Sequence, residues 1–270
     1  MKASPQFQWP FSLPWQGVVT LLMFGFMYLP ILVLAVYSFN ASPYSATWQG
    51  FTLDWYSKFF GDSRILSALQ TSLVVACTAV LIAAVFGTLM AVGLTRYFFP
   101  GRDLYRGVTY LPVIIPDIAL AVATLVFLAV AAIPLSLWTV VAAHLVFCLS
   151  YVAIVVSTRL TGLNSHLEEA ALDLGATPVQ AFIQVLLPQI MPGIISGCLL
   201  AFILSMDDLL IASFTAGGGV TTLPMEIFSR VKTGVKPDVN ALSVVLILAS
   251  ALIFMAAEYA RYQGGKNRSS

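Results

Sequence analysis

The sequence predicts an all-α protein that crosses a membrane six times. Three observations carry that prediction. Of the 270 residues, 59% are hydrophobic and 9% charged, against roughly a quarter charged in soluble domains, so the chain has too little polar surface to face water. The apolar residues gather into six runs, each near the ~20 residues a helix needs to cross the hydrocarbon layer. The charged residues lie almost entirely between those runs.

The first run, 16–39, is too long for a cleaved signal peptide, and Lys2 is a thin basic region, so it is expected to stay as a span. The second, 65–95, is long enough to tilt or to project beyond the bilayer. The third, 107–131, contains LPVIIPDIAL. Pro112 and Pro116 cannot donate backbone hydrogen bonds, so that helix should kink or break there. The fourth, 134–157, follows a tight turn near Ile133-Pro134. The fifth, 189–214, carries Gly193-x-x-x-Gly197, a helix-packing pattern that is common and weak alone. The sixth is 241–260. Residues 1–15 and 261–270 are left as tails, and 16–260 reads as one transmembrane domain without linker or repeat.

Six spans put both termini on one side. With the N-terminus inside, the inner segments hold Lys2, Arg96, Arg102, Arg106, Arg159, Arg261, Lys266 and Arg268. The outer segments hold Lys58, Arg64, Arg230, Lys232 and Lys236. That excess predicts cytoplasmic termini. The segment 158–188 then faces the cytoplasm, and 40–64 and 216–240 lie outside. A net charge of +1 presents no basic face for nucleic acid. Cys77, Cys148 and Cys198 sit in apolar runs without a C-x-x-C pair and read as reduced packing residues.

The cytoplasmic insert has two helix starts. Ser165-His166-Leu167-Glu168 has the form of a capping box, with acidic residues suited to the dipole of the first turn. This helix should run to about Leu174, with Gly175 in a left-handed cap position. Thr177-Pro178-Val179-Gln180 is a second capping box, with proline at the first helical position. In the first helix Leu163, Leu167, Ala170, Ala171 and Leu174 recur at helical spacing and predict a face buried on the bundle. Glu169 and Asp173 occupy another face, free to meet basic groups of a partner. A lipid-surface helix is the alternative, but such helices are usually rich in Lys and Arg, and this one is acidic.

Glu169-Ala170-Ala171, Gly175, and then Val185-x-Leu187-Pro188 resemble the EAA loop of ABC importer permeases, E-A-A-x-x-x-G followed after nine residues by I-x-L-P. Val185 stands where that pattern has Ile. The resemblance implies a type I importer permease whose loop couples to a separate ATPase through Glu168, Glu169, Ala170, Ala171, Asp173, Gly175, Leu187 and Pro188. No G-x-x-x-x-G-K-[ST] occurs in the chain, so ATP and Mg are expected on that partner.

The ionisable residues expected within the spans are Asp117, His144, Asp207, Asp208 and, near an end, Glu258. Such groups are costly at membrane depth and tend to mark pathways. An acidic set without Lys or Arg favours a cationic cargo. Asp117 falls near mid-membrane beside the proline break, whose freed carbonyls also suit a cation. Asp207 and Asp208 lie toward the outer end of the fifth span. They point about 100° apart, so only one is expected to face a lumen. Capping of broken helices, or pairing with a neighbouring subunit, is the alternative role for each aspartate. His144 is expected in an interhelical hydrogen bond. Trp48, Phe51, Trp55 and Tyr56 read as an interfacial aromatic belt or as a cation–π surface.

YSFN at 37–40, IIPDIAL at 114–120, DDLLIASFTAGGGVTTLP at 207–224 and VNALS at 239–243 resemble the permeases of polyamine (spermidine/putrescine) importers, most nearly the second of their two unlike permeases. One departure is Gly217-Gly218-Gly219, where relatives often have Gly-Pro-Gly. The resemblance implies a bacterial inner-membrane subunit forming half a pore for putrescine or spermidine. Implied partners are a second permease, an ATPase dimer and an outer substrate-binding protein. Another small cationic or amino-acid-like cargo is the alternative. A self-contained secondary transporter would need no such insert and often shows inverted repeats. A membrane enzyme would need a catalytic constellation that two histidines and scattered cysteines do not supply.

Overall fold

The computed structural model describes residues 15–42, 47–164, 166–232, 234 and 237–266, with side chains omitted at 253, 254 and 256–266. Lys2, Ser165, Lys236 and Arg268, the tail through residue 14, and the side chains of Glu258, Arg261 and Lys266 therefore lie outside the described residues. Within them the chain is helical, without a strand; Asn40 and Phe51 form an isolated antiparallel bridge.

The helices run α1 Trp15–Tyr37, α2 Asp54–Gly61, α3 Ser63–Arg96, α4 Arg102–Ile114, α5 Asp117–Val130, α6 Leu137–Thr161, α7 His166–Asp173, α8 Pro178–Ala181, a π-helical turn Phe182–Leu186, α9 Leu187–Asp207, α10 Leu210–Thr215, α11 Leu223–Lys232 and α12 Pro237–Lys266. Among the described residues, four helical stretches are long and apolar enough to cross a membrane: α1, α3, α6 and Pro178–Asp207. The pair α4–α5 makes a fifth if counted as one span.

Two expected spans differ from continuous helices. Residues 107–131 break at Ile115-Pro116, where α4 and α5 meet at 110°. Pro116 lacks the N–H that would continue the ladder, and it biases the residue before it toward extended backbone; Ile115 has φ −71°, ψ 134°. The expected span 189–214 ends at Asp207, and Asp208 is extended at ψ 122° before the short α10. The surface helices α2 and α11 arise in segments where no helix was expected, and each shows an amphipathic pattern.

The described residues fall into two compact units, one reaching to Asp62 and resuming at Arg230, the other spanning Ser63–Ser229. In the first, α12 packs on α1 and α2. Buried Asn40 organises the loop after α1: its side chain donates to the Thr47 carbonyl and accepts from the Ser42 and Gln49 amides, and its carbonyl accepts from Trp55 Nε1. Arg230 bridges Asp62 at 2.7 Å and Asp238 at 3.1 Å.

In the second unit α6 is the central helix, packed on α3 and α9. A small-residue stripe on α3, Ala76, Ala79, Ala83 and Gly87, lets the backbones approach closely. A Cβ at Gly87 would lie 3.0 Å from Val152, and one at Gly197 would lie 3.2 Å from the Val152 Cα. The Gly193/Gly197 pattern is therefore the seam between α9 and α6. Around it Val152, Val156, Leu160, Leu186 and Ile190 form the core. Ser136 and Thr139 cap α6 reciprocally, and Thr139 also donates to the Thr215 carbonyl at 2.8 Å, tying α10 to this start.

Candidate functional site

Both breaks deliver aspartates to one place. Asp117 is the first residue of α5, Asp207 the last of α9, and Asp208 fills the gap before α10. All three line one cavity of about 260 Å³ with Pro112, Phe147 and Tyr151; both adjacent aspartates reach it, and not only one as expected, because the helix ends at Asp207 and Asp208 is extended. Positions far apart in sequence thus form a single acidic pocket within the Ser63–Ser229 unit.

The three carboxylates differ in their surroundings. Asp117 and Asp207 belong to exposed residues and, among the described residues, have no hydrogen bond or ion pair. Asp208 is held inside, its side chain 10% exposed. It accepts from the Ile211 amide at 3.2 Å and the Ala212 amide at 2.8 Å, so it caps α10. Its Oδ2 also lies 3.3 Å from His144 Nε2, without a hydrogen bond between them. The other His144 nitrogen pairs with Ser205 Oγ at 2.7 Å. The histidine thus makes the expected interhelical hydrogen bond and also backs the acidic pocket.

Phe147 and Tyr151 were missed by the sequence reading. They follow His144 at i+3 and i+7, so one stripe of α6 carries all three. Their rings give the cavity a wall on which a cation can rest. An aromatic pair at helical spacing around a buried histidine was the available signal.

The insert is a helix, a glycine turn and a second helix. Gly175 has φ +90°. Its amide donates to the Leu172 carbonyl and the Ala176 amide to the Ala171 carbonyl, the two bonds of a Schellman cap. A Cβ at Gly175 would meet nothing within 4 Å, so the positive φ, not space, calls for glycine. Thr177 and Gln180 form the second capping box, at 2.8 and 3.3 Å. The Asn164 side chain accepts from the His166 amide at the start of α7.

The expected buried face of α7 needs correction. Leu167 is 46% and Leu174 90% exposed, and Ala170 is exposed too. The side turned inward carries Glu168 and half-buried Ala171. Glu168 lies 3.2 Å from Arg96 at the end of α3, both side chains largely buried. Glu168 is thus paired within this chain. Glu169 faces solvent beside His166 Nδ1 at 3.0 Å, and Asp173 is exposed. Leu187 is half-buried and Pro188 exposed, just after the π-helical turn. Pro188 leaves the Gln184 carbonyl without its usual donor, and the ladder widens so that the Leu187 amide reaches the Phe182 carbonyl.

Among the aromatics between α1 and α3, Trp55 is committed to the Asn40 carbonyl with Lys58 stacked over its ring at 4.3 Å, and Tyr56 to Ser38. Trp48 and Phe51 are exposed. Cys148 is buried, Cys198 partly so and Cys77 exposed, all as free thiols.

Comparison with known proteins decides the class. Residues 83–262 match the family model described as binding-protein-dependent transport system inner membrane component. The chain belongs to that family. Among its family relatives, the putrescine transport system permease protein PotI of Escherichia coli K12 is 42% identical over 94% of this chain and 93% of its own length. The spermidine/putrescine transport system permease protein PotC of Haemophilus influenzae is 37% identical over 88% and 92%. The putative 2-aminoethylphosphonate transport system permease protein PhnV of Salmonella choleraesuis is 31% identical over 93% and 96%. The fold also matches solved structures. One, of a bacterial ABC transporter that imports alginate, has a TM-score of 0.69 at 15% identity, covering 94% of this chain and 99% of that one. The MetNI methionine ABC transporter has a TM-score of 0.55 at 23% identity, covering 73% and 93%. The chain is thus a multi-pass membrane protein with the helical fold of an ABC importer permease.

Proposed function

We propose that this chain is one permease subunit of an ATP-driven importer and forms half of a pore for polyamines such as putrescine or spermidine. It spans the bacterial inner membrane six times with both termini in the cytoplasm. It pairs with a second permease and receives cargo from an outer binding protein. A separate ATPase dimer binds ATP and Mg and docks on the 158–188 segment. There Glu169, Ala170, Asp173 and the turn at Gly175 meet the partner. Glu168 and Ala171 fix the rotation of α7, and Leu187-Pro188 joins the segment to α9. ATP-driven closure of the ATPase pair moves this segment and with it the spans.

The observation that carries the cargo assignment is the pocket uniting Asp117, Asp207 and Asp208. Its carboxylates complement the separated ammonium groups of a polyamine, and Phe147 and Tyr151 add aromatic faces. Asp117 and Asp207 are the accessible ligands; Asp208 adds charge from behind while capping α10. The relation to putrescine and spermidine permeases supports the same cargo.

The test is uptake of radiolabelled putrescine and spermidine by proteoliposomes holding the full complex. ATP-dependent uptake is expected, and none with this chain alone. ATP-independent transport by the chain alone would overturn the reading. Uptake of another small amine in place of both polyamines would keep the importer and reassign its cargo.

A further inference from the structure

We propose that an anionic phospholipid binds between α3, α4 and α6, with its phosphate at Arg102 and Arg106 and an acyl chain in the apolar cavity alongside. Arg102 Nε donates to the Leu94 carbonyl at 2.7 Å and its Nη2 to the Thr95 carbonyl at 3.3 Å. Arg106 Nη2 donates to the same Leu94 oxygen at 3.2 Å. Two guanidinium groups therefore converge on the last turn of α3. Arg102 is held further by stacking over Phe98, 4.4 Å from the ring centre. Each guanidinium has five donors, so both keep several for a ligand.

Two like charges converging on one carbonyl attract an anion. The helix end supplies about half a negative charge. The nearest carboxylate, Asp103, is 4.0 Å from Arg106 and 96% exposed, so water screens it. That leaves roughly one to one and a half positive charges unmatched. Both arginines line a cavity of about 390 Å³ whose other walls include Tyr110, Ser157 and Thr158 and no acidic residue. Hydroxyls and guanidinium groups are the donors that recognise a phosphate.

A second cavity selects the source of the phosphate. It measures about 640 Å³ and shares Leu94 and Thr109 with the first. Its lining is largely apolar, with Met90, Val108, Pro112, Val146 and Leu149. A free phosphate matches only the cationic cavity. A phospholipid matches both, head in one and tail in the other. The site lies where α3 ends and where Arg96 meets Glu168 of α7, so the lipid sits beside the insert. The inference is independent of the cargo proposed above.

The full-length chain, isolated with its co-purifying subunits in nanodiscs of phosphatidylcholine with a minor share of phosphatidylglycerol, provides the test. Native mass spectrometry counts retained phosphatidylglycerol during stepwise delipidation. The wild type should retain it over phosphatidylcholine. Arg106→Gln should lower retention roughly five- to tenfold, the effect of one basic contact, and Arg106→Lys should restore most of it. Val108→Trp should lower it as well, by filling the tail cavity while leaving both arginines. Should Arg106→Gln fail to assemble, Val108→Trp decides alone. Equal retention in the wild type and Val108→Trp overturns the proposal, as does displacement by inorganic phosphate, which would mark an ion site without a tail.

Discussion

The aspartate pocket allows stability and transport to be separated. Asp208→Asn changes a carboxylate that accepts from two backbone amides and faces His144. An Asn side-chain oxygen can serve one of those amides. The other is left unmet at a partly buried helix start, at a cost of about 1–3 kcal/mol. Loss of the charge at the helix N-terminus adds about 0.3–1 kcal/mol. The total, about 1.3–4 kcal/mol, corresponds to a Tm lower by about 3–16 °C at roughly 2–4 °C per kcal/mol for a chain of this size. Asp117 and Asp207 hold no partner among the described residues, so Asp117→Asn should lose only the dipole contribution at the start of α5, about 0.3–1 kcal/mol or roughly 1–4 °C, and Asp207→Asn, at the C-terminal end of α9, should not lower Tm. Each still removes a charge facing the cargo, and uptake per assembled complex should fall about tenfold after allowance for solvent screening. The assays are thermal unfolding of the purified complex and polyamine uptake normalised to assembled complex. If Asp117→Asn or Asp207→Asn lowers Tm as far as Asp208→Asn while corrected uptake stays normal, those carboxylates are structural and the pocket is not a cargo site.

Further outcomes follow from the same geometry. Gly175→Val should damage assembly with the ATPase more than Gly175→Asn, since β-branching at φ +90° is costly and Asn tolerates it; co-purification of the ATPase reads this, and equal effects would remove the cap argument. Glu169→Lys should uncouple ATP hydrolysis from uptake or release the ATPase, whereas wild-type coupling would reassign the exposed face of α7. Combining Arg96→Glu with Glu168→Arg, which reverses the ion pair, should recover part of what each substitution loses alone, with a coupling of about 0.5–3 kcal/mol in a double-mutant cycle; simple additivity would show that the ion pair does not set the rotation of α7. Gly197→Leu should cost at least about 1–3 kcal/mol by driving α9 off the Val152 backbone, measurable as a lower Tm, and a neutral result would dissolve the α6–α9 seam.

Much of this protein was legible from local signals. Membrane residence follows from composition, since too few polar residues exist to cover a water-facing surface. The break before Asp117, the left-handed Gly175 and the Thr177–Gln180 cap each depend on neighbours within a few positions, and such chemistry is written in the residues themselves. The kinship with polyamine permeases rests on short strings that the sequence displays outright.

What the tertiary structure decided is which distant groups meet. Nothing near Asp208 announces that its carboxylate caps α10 or faces His144, because that partner is 64 positions away (208 minus 144) on another helix. The exposed side of α7 was misjudged for a similar reason. Apolar periodicity predicts that one face is buried, but the side turned inward is the one whose Glu168 pairs with Arg96. Periodicity reports the preferences of one helix; its rotation depends on the elements packed against it, and only three-dimensional packing supplies those.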